Sequence, residues 1–364
     1  MKAISTFCGC GGMDHALHSL GVQTVLANDI MHDAVESYRL SFPEVKTVEG
    51  DIRDIHTFPS ADLVVGGYPC QSFSMGGRRD PDNDERTLLY KEFARCLHEV
   101  EPKYFVAENV SGLQKIQKGR FLETQVDEFN SAGCIGYNVT ASMLNARDYG
   151  IPQTRKRMFI VGVRKDLELQ YEFPTPTHGK RTRKQPHLLP YASHGETIKH
   201  LPLWPEGEFY ERPHDPEGHW SWYYMSRNRK APWDGPAYTV VANWRHTTLH
   251  PASPTMKLTW SDLANGWKQR WDFSDEYEHL ESDPDRPKLE EARRLSWREC
   301  AAIQTFPNAV EFVGNAESKF TQIGNAVPPM LAKAVLEPLV SGSGLKAAGS
   351  LLNEESNLVQ GTLF

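Results

Sequence analysis

From Met1 to Val110 the chain alternates short apolar runs with longer amphipathic stretches, and few folds accept that alternation. Candidate strands are Ala3–Thr6, Thr24–Ala27, Asp62–Val65 and Tyr104–Ala107, with a later one at Arg157–Val163. Helical stretches lie between them, such as Leu88–Val100, where Leu89, Phe93, Cys96, Leu97 and Val100 recur at helical spacing. Short apolar strands that each lead into a helix are covered on both sides by their own connections. The pattern predicts an α/β fold: a Rossmann-like mixed, mostly parallel sheet with helices on both faces.

Near Phe173 the pattern breaks. From 173 to 290 the sequence is irregular and proline-rich, and it holds eight of the nine tryptophans (Trp204, Trp220, Trp222, Trp233, Trp244, Trp260, Trp267 and Trp271). This stretch reads as a second, smaller, irregular domain whose tryptophans form its core, with Ala237–His246 as its most structured part. Regular pattern returns over 291–340, with one helix expected at Arg294–Phe306 and another after Pro328-Pro329. The first domain is therefore expected at 1–172 and again at 291–340, followed by a flexible tail at 341–364.

Composition narrows the function classes. The chain of 364 residues carries a formal charge of -7, yet its charge is unevenly spread. Pro174–Pro190 holds Lys180, Arg181, Arg183 and Lys184 and no acid, so one face can be basic although the whole is acidic. Six scattered cysteines without a C-x-x-C pair argue against a disulfide framework or a zinc site, and no metal is expected. No apolar run approaches the ~20 residues of a membrane span, and the N-terminus enters a strand at once. A cytoplasmic location is expected.

Phe7-Cys8-Gly9-Cys10-Gly11-Gly12 follows the first strand and opens a helix. Glycines there let the backbone approach a ligand, and nucleotide-type ligands sit at the carboxyl ends of such strands. The spacing is F-x-G-x-G-G rather than the G-x-G-x-x-G of dinucleotide enzymes, which favours an adenosyl ligand without a pyrophosphate. Asp29, after the second strand, is placed to accept from ribose hydroxyls. Asp51, in Gly50-Asp51-Ile52, is placed to accept from an adenine amino group. Helix capping is the alternative for both.

The buried run Leu63–Gly67 leads into Tyr68-Pro69-Cys70-Gln71-Ser72-Phe73-Ser74. A cysteine pinned by Pro69 at a strand's carboxyl end can act as a nucleophile through its thiolate. Taken alone, such a cysteine is more often structural. Met75 to Arg86, with two glycines and many charges, reads as a loop able to close over substrate.

Six motifs in order reverse that preference. They are Phe7-x-Gly9-x-Gly11-Gly12, Gly67-Tyr68-Pro69-Cys70-Gln71, Glu108-Asn109-Val110, Gln153-Thr154-Arg155-Lys156-Arg157, Arg294 through Gln304-x-Phe306-Pro307, and Gln322-Ile323-Gly324-Asn325-Ala326-Val327-Pro328-Pro329. Across residues 3–335 the chain resembles the C5-cytosine DNA methyltransferase family, of the bacterial restriction–modification type. The resemblance implies a DNA (cytosine-5-)-methyltransferase that uses S-adenosyl-L-methionine, flips its target base and protects DNA from a cognate restriction endonuclease. It implies Cys70 as the nucleophile at cytosine C6 and Glu108 as the acid near N3. Arg155 is implied as a contact to the base carbonyl O2, and Arg157 as a support of the site. Cofactor contacts are implied for Phe7, Gly9, Gly11, Asp29, Ile30, Asp51, Ile52, Pro69, Leu89, Asn325 and Val327. The family often has glutamate where Asp29 stands and tryptophan where Ile30 stands, which leaves Ile30 only apolar packing.

The irregular domain then becomes a target-recognition domain on double-stranded DNA. Gln71 and Ser74 are candidates to fill the space of the flipped base. Lys180, Arg181, Arg183, Arg227, Arg229 and Lys230 are candidates for phosphate contacts, and Asn243 and Arg245 for base reading. The protein is expected to be a monomer. Two rival readings remain, a tRNA-directed relative of the same fold and a catalytically silent DNA-binding relative.

Overall fold

The computed structural model describes residues 1–69, 88–112, 119–210, 220–262, 267–277 and 286–349. Its frame is built from β1 (Lys2–Thr6), α1 (Gly12–Ser19), β2 (Gln23–Asp29), α2 (His32–Ser41), β3 (Thr47–Glu49), β4 (Leu63–Gly66), α3 (Leu89–Val100), β5 (Tyr104–Val110), α4 (Arg120–Asn130), β6 (Tyr137–Asn145) and β7 (Lys156–Arg164). These strands form one seven-stranded sheet in the order β3-β2-β1-β4-β5-β7-β6. The first five pair in parallel, while β7 runs antiparallel to both β5 and β6. The mostly parallel sheet expected from the sequence is the one observed.

Alternation along each strand feeds two cores. Ala3, Leu63, Val65 and Val106 face Leu17 of α1 and Leu331 and Val335. Their neighbours Ile4, Val64, Phe105 and Ala107 face Phe93 and Leu97 of α3 and Phe129 of α4. Each large side chain so buried contributes about 1.5–3 kcal/mol, which is why continuous apolar strands need helices on both sides. Strand β6 is not expected from the sequence because Tyr-Asn-Val-Thr-Ala-Ser-Met is only partly apolar. It lies at the sheet edge, where most of its side chains are half-buried.

The remaining elements are β8 (Leu169–Tyr171), α5 (His194–Ile198), α6 (Trp222–Met225), β9 (Met256–Asp262), β10 (Trp267–Phe273), α7 (Trp297–Ile303), α8 (Ala316–Asn325), α9 (Pro329–Ser341) and β11 (Leu345–Ala347). Three expectations change here. The regular part of the irregular region is the antiparallel β9–β10 hairpin. Ala237–His246 instead has one bridge, Gln153 to Ala237, and a short 3-10 turn at Trp244–His246. The helix expected at Arg294–Phe306 begins only at Trp297, because Ser296 and Glu299 form a capping box there, and Arg294 is bridged to Leu249. Within the tail expected at 341–364, Leu345–Ala347 forms β11 and pairs with β8, and residues 350–364 lie outside the described residues.

The tryptophans divide. Trp220 and Trp271 pack with Tyr224, Met225, Leu249 and Met256, and Trp233 packs with Ala252 and Leu289. Trp204 and Trp260 are instead exposed.

Candidate active site

The carboxyl ends of β2, β1, β4 and β5 lie side by side, and the candidate residues gather along them. Phe7, Gly9 and Gly11 all have positive φ, the conformation glycine adopts at least cost. A Cβ on Gly11 would lie 2.7 Å from Phe42 Cε2, and one on Gly12 would collide with the Val327 carbonyl. A Cβ on Gly9 would meet nothing within 4 Å, so the turn is packed beneath and open above.

Two carboxylates hold this turn. Asp29 Oδ2 accepts from Gly9 N at 2.8 Å and its Oδ1 from Met31 N at 2.9 Å. Burial raises the Asp29 pKa, and these backbone donors offset part of the rise. Asp14 is given no role by the sequence motifs, yet it is fully buried. It accepts from Ser5 Oγ (2.7 Å), Tyr38 Oη (2.9 Å) and Thr24 Oγ1 (3.0 Å), tying α1 to β1, β2 and α2. An acid two residues after Gly12, on the apolar first turn of α1, was the signal available.

The other candidate cofactor residues fall around the same edge. Ile30 is 67 % exposed, a bare apolar side chain at the end of β2. Asp51 caps the turn Ile52–Asp54 and pairs with Arg53 Nη2 at 2.6 Å, which holds its carboxyl below the usual range. The capping alternative thus describes Asp51 as placed. Ile52 is buried, and Leu89 at the start of α3 is half-buried against the same core. Asn325 ends α8 exposed, and Val327 is buried against the glycine turn.

Glu108 lies near the end of β5, buried to 7 % exposure. Arg157 Nε stands 2.8 Å from its Oε1. In the β5–β7 register Val110 faces Arg157, so Glu108 and Arg157 form a diagonal pair on one sheet face. Burial raises the Glu108 pKa, opposed first by Arg157 and then by Arg155. A Cβ on Gly67 would lie 3.4 Å from Glu108 Oε2, so the chain leading to Pro69 runs against this carboxyl. Asn109 Nδ2 donates to the Tyr68 carbonyl at 3.3 Å and fixes that approach from the next position of β5. Cys70, Gln71 and Ser74 lie outside the described residues, and Pro69 is the last described residue before them.

Arg155 is placed differently from expectation. It is fully buried, donating through Nη1 to the Val240 carbonyl at 2.9 Å. Its Nη2 donates to the carbonyls of Gly324 (2.8 Å) and Ala326 (2.9 Å). The guanidinium expected at a base carbonyl is therefore taken up by backbone, and Arg157 is the arginine beside Glu108.

The match to known families follows this geometry. The family model for C-5 cytosine-specific DNA methylase matches residues 1–341. The chain belongs to that family. It is 36% identical to the Type II methyltransferase M.BsuRI of Bacillus subtilis over 380 residues, covering 94% of this chain and 79% of that one. It is 37% identical to M.BspRI of Lysinibacillus sphaericus over 378 residues, covering 93% and 81%. A solved prophage-encoded DNA modification methyltransferase from E. coli shares the fold at a TM-score of 0.63 with 19% identity, covering 94% of this chain and 99% of that chain. The chain is thus a DNA (cytosine-5)-methyltransferase, and it requires a methyl donor.

The candidate DNA contacts of this methylase are unequal. Lys180, Arg181 and Arg183 are exposed, although Arg181 Nε is bonded to the Leu188 carbonyl at 2.9 Å. Arg227 is exposed, whereas Arg229 donates to the Tyr224 carbonyl at 3.0 Å and lies over that ring. Lys230 is buried at 6 %, which removes it as a phosphate contact. Asn243 is exposed but caps the turn Trp244–His246 by accepting from Arg245 N at 3.0 Å, and Arg245 reaches over the Tyr210 ring. Among the described residues no helix is long and apolar enough to cross a membrane.

Proposed function

We propose that this methylase modifies cytosine in duplex DNA by covalent catalysis from Cys70, with Glu108 as the acid at N3 and Arg157 as the cation beside it. The observation that carries the reading is the Glu108–Arg157 pair set against Gly67, three residues before Cys70. Adding the Cys70 thiolate to C6 breaks the C5–C6 double bond and drives its electrons toward N3. A proton from Glu108 at N3 receives that charge and leaves C5 an enamine carbon. Burial favours the protonated carboxyl, as such an acid requires. Arg157 already donates from Nη1 to the Lys156 carbonyl at 2.8 Å. Among the described residues no hydrogen bond uses its Nη2, which leaves that group for the base O2. Once C5 carries the methyl group, a base takes the C5 proton, and the electrons of that C–H bond re-form the C5–C6 double bond. Cys70 leaves as a thiolate with the electrons of its bond to C6, and the N3 proton returns to Glu108.

S-adenosyl-L-methionine fits the cradle at the sheet edge and supplies, when bound, a methyl group on a positively charged sulfur. Gly9 leaves the backbone bare, Ile30 offers an apolar face for a ring, and the Asp29 oxygens keep unused lone pairs toward hydroxyls. Val327 packs against Gly12 of the turn, and it and the exposed Asn325 two residues before it are assigned to the cofactor. Phosphates of double-stranded DNA are assigned to Lys180, Arg183 and Arg227, with Arg245 facing the bases. The similarity to Type II methyltransferases supports a role beside a cognate restriction enzyme, and a monomer in the cytoplasm is part of the same reading.

The test is transfer of labelled methyl from S-adenosylmethionine to unmethylated duplex DNA or to tRNA, by the full chain and by Cys70→Ser. Transfer to DNA is expected, with loss in the variant and unchanged binding of S-adenosylhomocysteine. Transfer to tRNA alone, or a normal rate in Cys70→Ser, refutes the reading.

A further inference from the structure

The guanidinium of Arg155 joins three separate parts of the chain. It holds the Val240 carbonyl of the 237–242 segment and the Gly324 and Ala326 carbonyls at the C-terminal end of α8. Gln153 Oε1 accepts from Val240 N at 2.8 Å, and its Nε2 donates to Gln304 Oε1 at 2.7 Å. Gln304 Nε2 in turn donates to the Ile323 carbonyl at 2.6 Å. Arg155, Gln153 and Gln304 are all fully buried. Thr154 reinforces the joint, donating from its N to the Ala237 carbonyl and accepting from Thr239 Oγ1 at 2.6 Å.

The joint leads on to the glycine turn. Cys10 Sγ contacts the Gln322 carbonyl, and Gly12 packs so closely on Val327 that a Cβ would strike its carbonyl. On the other side, a Cβ on Gly324 would strike the backbone of Val241 and Ala242. Neither segment can shift alone. Moving the 237–242 segment either breaks buried bonds that water does not replace or drags the 324–327 segment with it.

We infer that Arg155 is a positioning residue that couples seating of DNA on the 237–242 segment to the cofactor cradle at Gly12 and Val327. This rests on the proposed function, which sets Arg245, three residues beyond this segment, at the bases and takes the glycine turn with Val327 as the cofactor cradle. DNA that holds the segment in this arrangement holds the 324–327 segment with it and tightens the cofactor's grip, and by linkage the cofactor tightens the grip on DNA by the same factor. Lysine cannot replace the arginine, because a single ammonium does not span carbonyls that the planar guanidinium fork holds together.

The test is equilibrium dialysis of labelled S-adenosylhomocysteine against the full chain, with and without sonicated unmethylated genomic DNA. DNA is expected to tighten binding in the wild type within the 5–150-fold range of ordinary couplings. Arg155→Lys is expected to lose most of the enhancement, read as the ratio of its own affinities with and without DNA, so that any change in DNA-free binding cancels. If Arg155→Lys does not fold, Thr239→Val carries the test, since it removes only the bond to the Thr154 carbonyl and should weaken the enhancement. An unchanged enhancement in the folded variant, or none in the wild type, overturns the inference. Methyl transfer by the wild type separates the cases: if it occurs and the enhancement is untouched, this inference alone fails.

Discussion

Replacing Glu108 by glutamine tests the acid at its narrowest point. The side chain keeps its shape, and its amide oxygen still faces Arg157 Nε, now 2.8 Å from Oε1. What disappears is the negative charge and the exchangeable proton. A hydrogen bond to a charged group contributes about 1.5–3 kcal/mol against about 0.5–1.5 for a neutral one. The folded state should therefore lose about 1–2 kcal/mol by that difference, more if the desolvated Arg157 finds no other partner. Chemistry should suffer more. General acid catalysis is worth about 10²–10⁴ in rate, or about 2.7–5.5 kcal/mol of barrier at 1.36 per decade.

The assay is single-turnover transfer of labelled methyl across a pH series, with thermal unfolding run in parallel. Burial raises the Glu108 pKa above its ordinary value, and the nearby Arg157 limits the rise. The proton is present below the folded pKa and lost above it, so the wild-type rate should fall as pH rises through that value. Glutamine has no such transition, so the variant should be slow and lack this limb. Linkage gives the matching stability sign: with the folded pKa raised, the native state binds the extra proton, and stability falls as pH rises from the unfolded value to the folded one. A Glu108→Gln protein that keeps the wild-type rate and profile refutes the assignment.

Glu299→Ala should destabilise by about 3–5 kcal/mol, the usual cost of stranding one member of a buried ion pair. It strands Arg293, bonded to Glu299 at 2.7 and 2.9 Å with both side chains 1% exposed, and removes the half of the α7 capping box in which Glu299 accepts from Ser296 N. Denaturant melts check this, and a loss under about 1 kcal/mol would show the pair to be replaceable. His15 lies between the Phe42 and Phe306 rings at 4.8 and 5.8 Å, and burial lowers its pKa to about 4. Its contribution is present above the unfolded pKa of about 6.5 and lost as pH falls toward about 4. His15→Leu should flatten the decline of Tm between those values, and an unchanged slope would count against this.

The first half of the fold was legible because burial on two faces leaves a local signature. Strands such as Leu63–Val65 are apolar at every position, and helix α3 repeats at its own period. Glu108 was legible for a related reason, standing at a strand end within a short motif. The irregular region was not, because Ala237–Val240 is held by Gln153, Thr154 and Arg155 rather than by strand neighbours of its own. Sequence patterns report periodic burial, and nothing there is periodic.

The two arginines mark the boundary most sharply. The sequence supplies Arg155 and Arg157 two residues apart, with the same charge and shape, beside the start of one strand. Which of them meets Glu108 depends on the antiparallel register that sets Val110 against Arg157. That register is fixed by contacts between residues some tens of positions apart. Which of them holds the chain together depends on carbonyls at 240, 324 and 326, brought near only when the irregular region and α8 close over the sheet. The kinds of group needed for the chemistry are local properties of the chain, whereas their division of labour is a property of long-range packing.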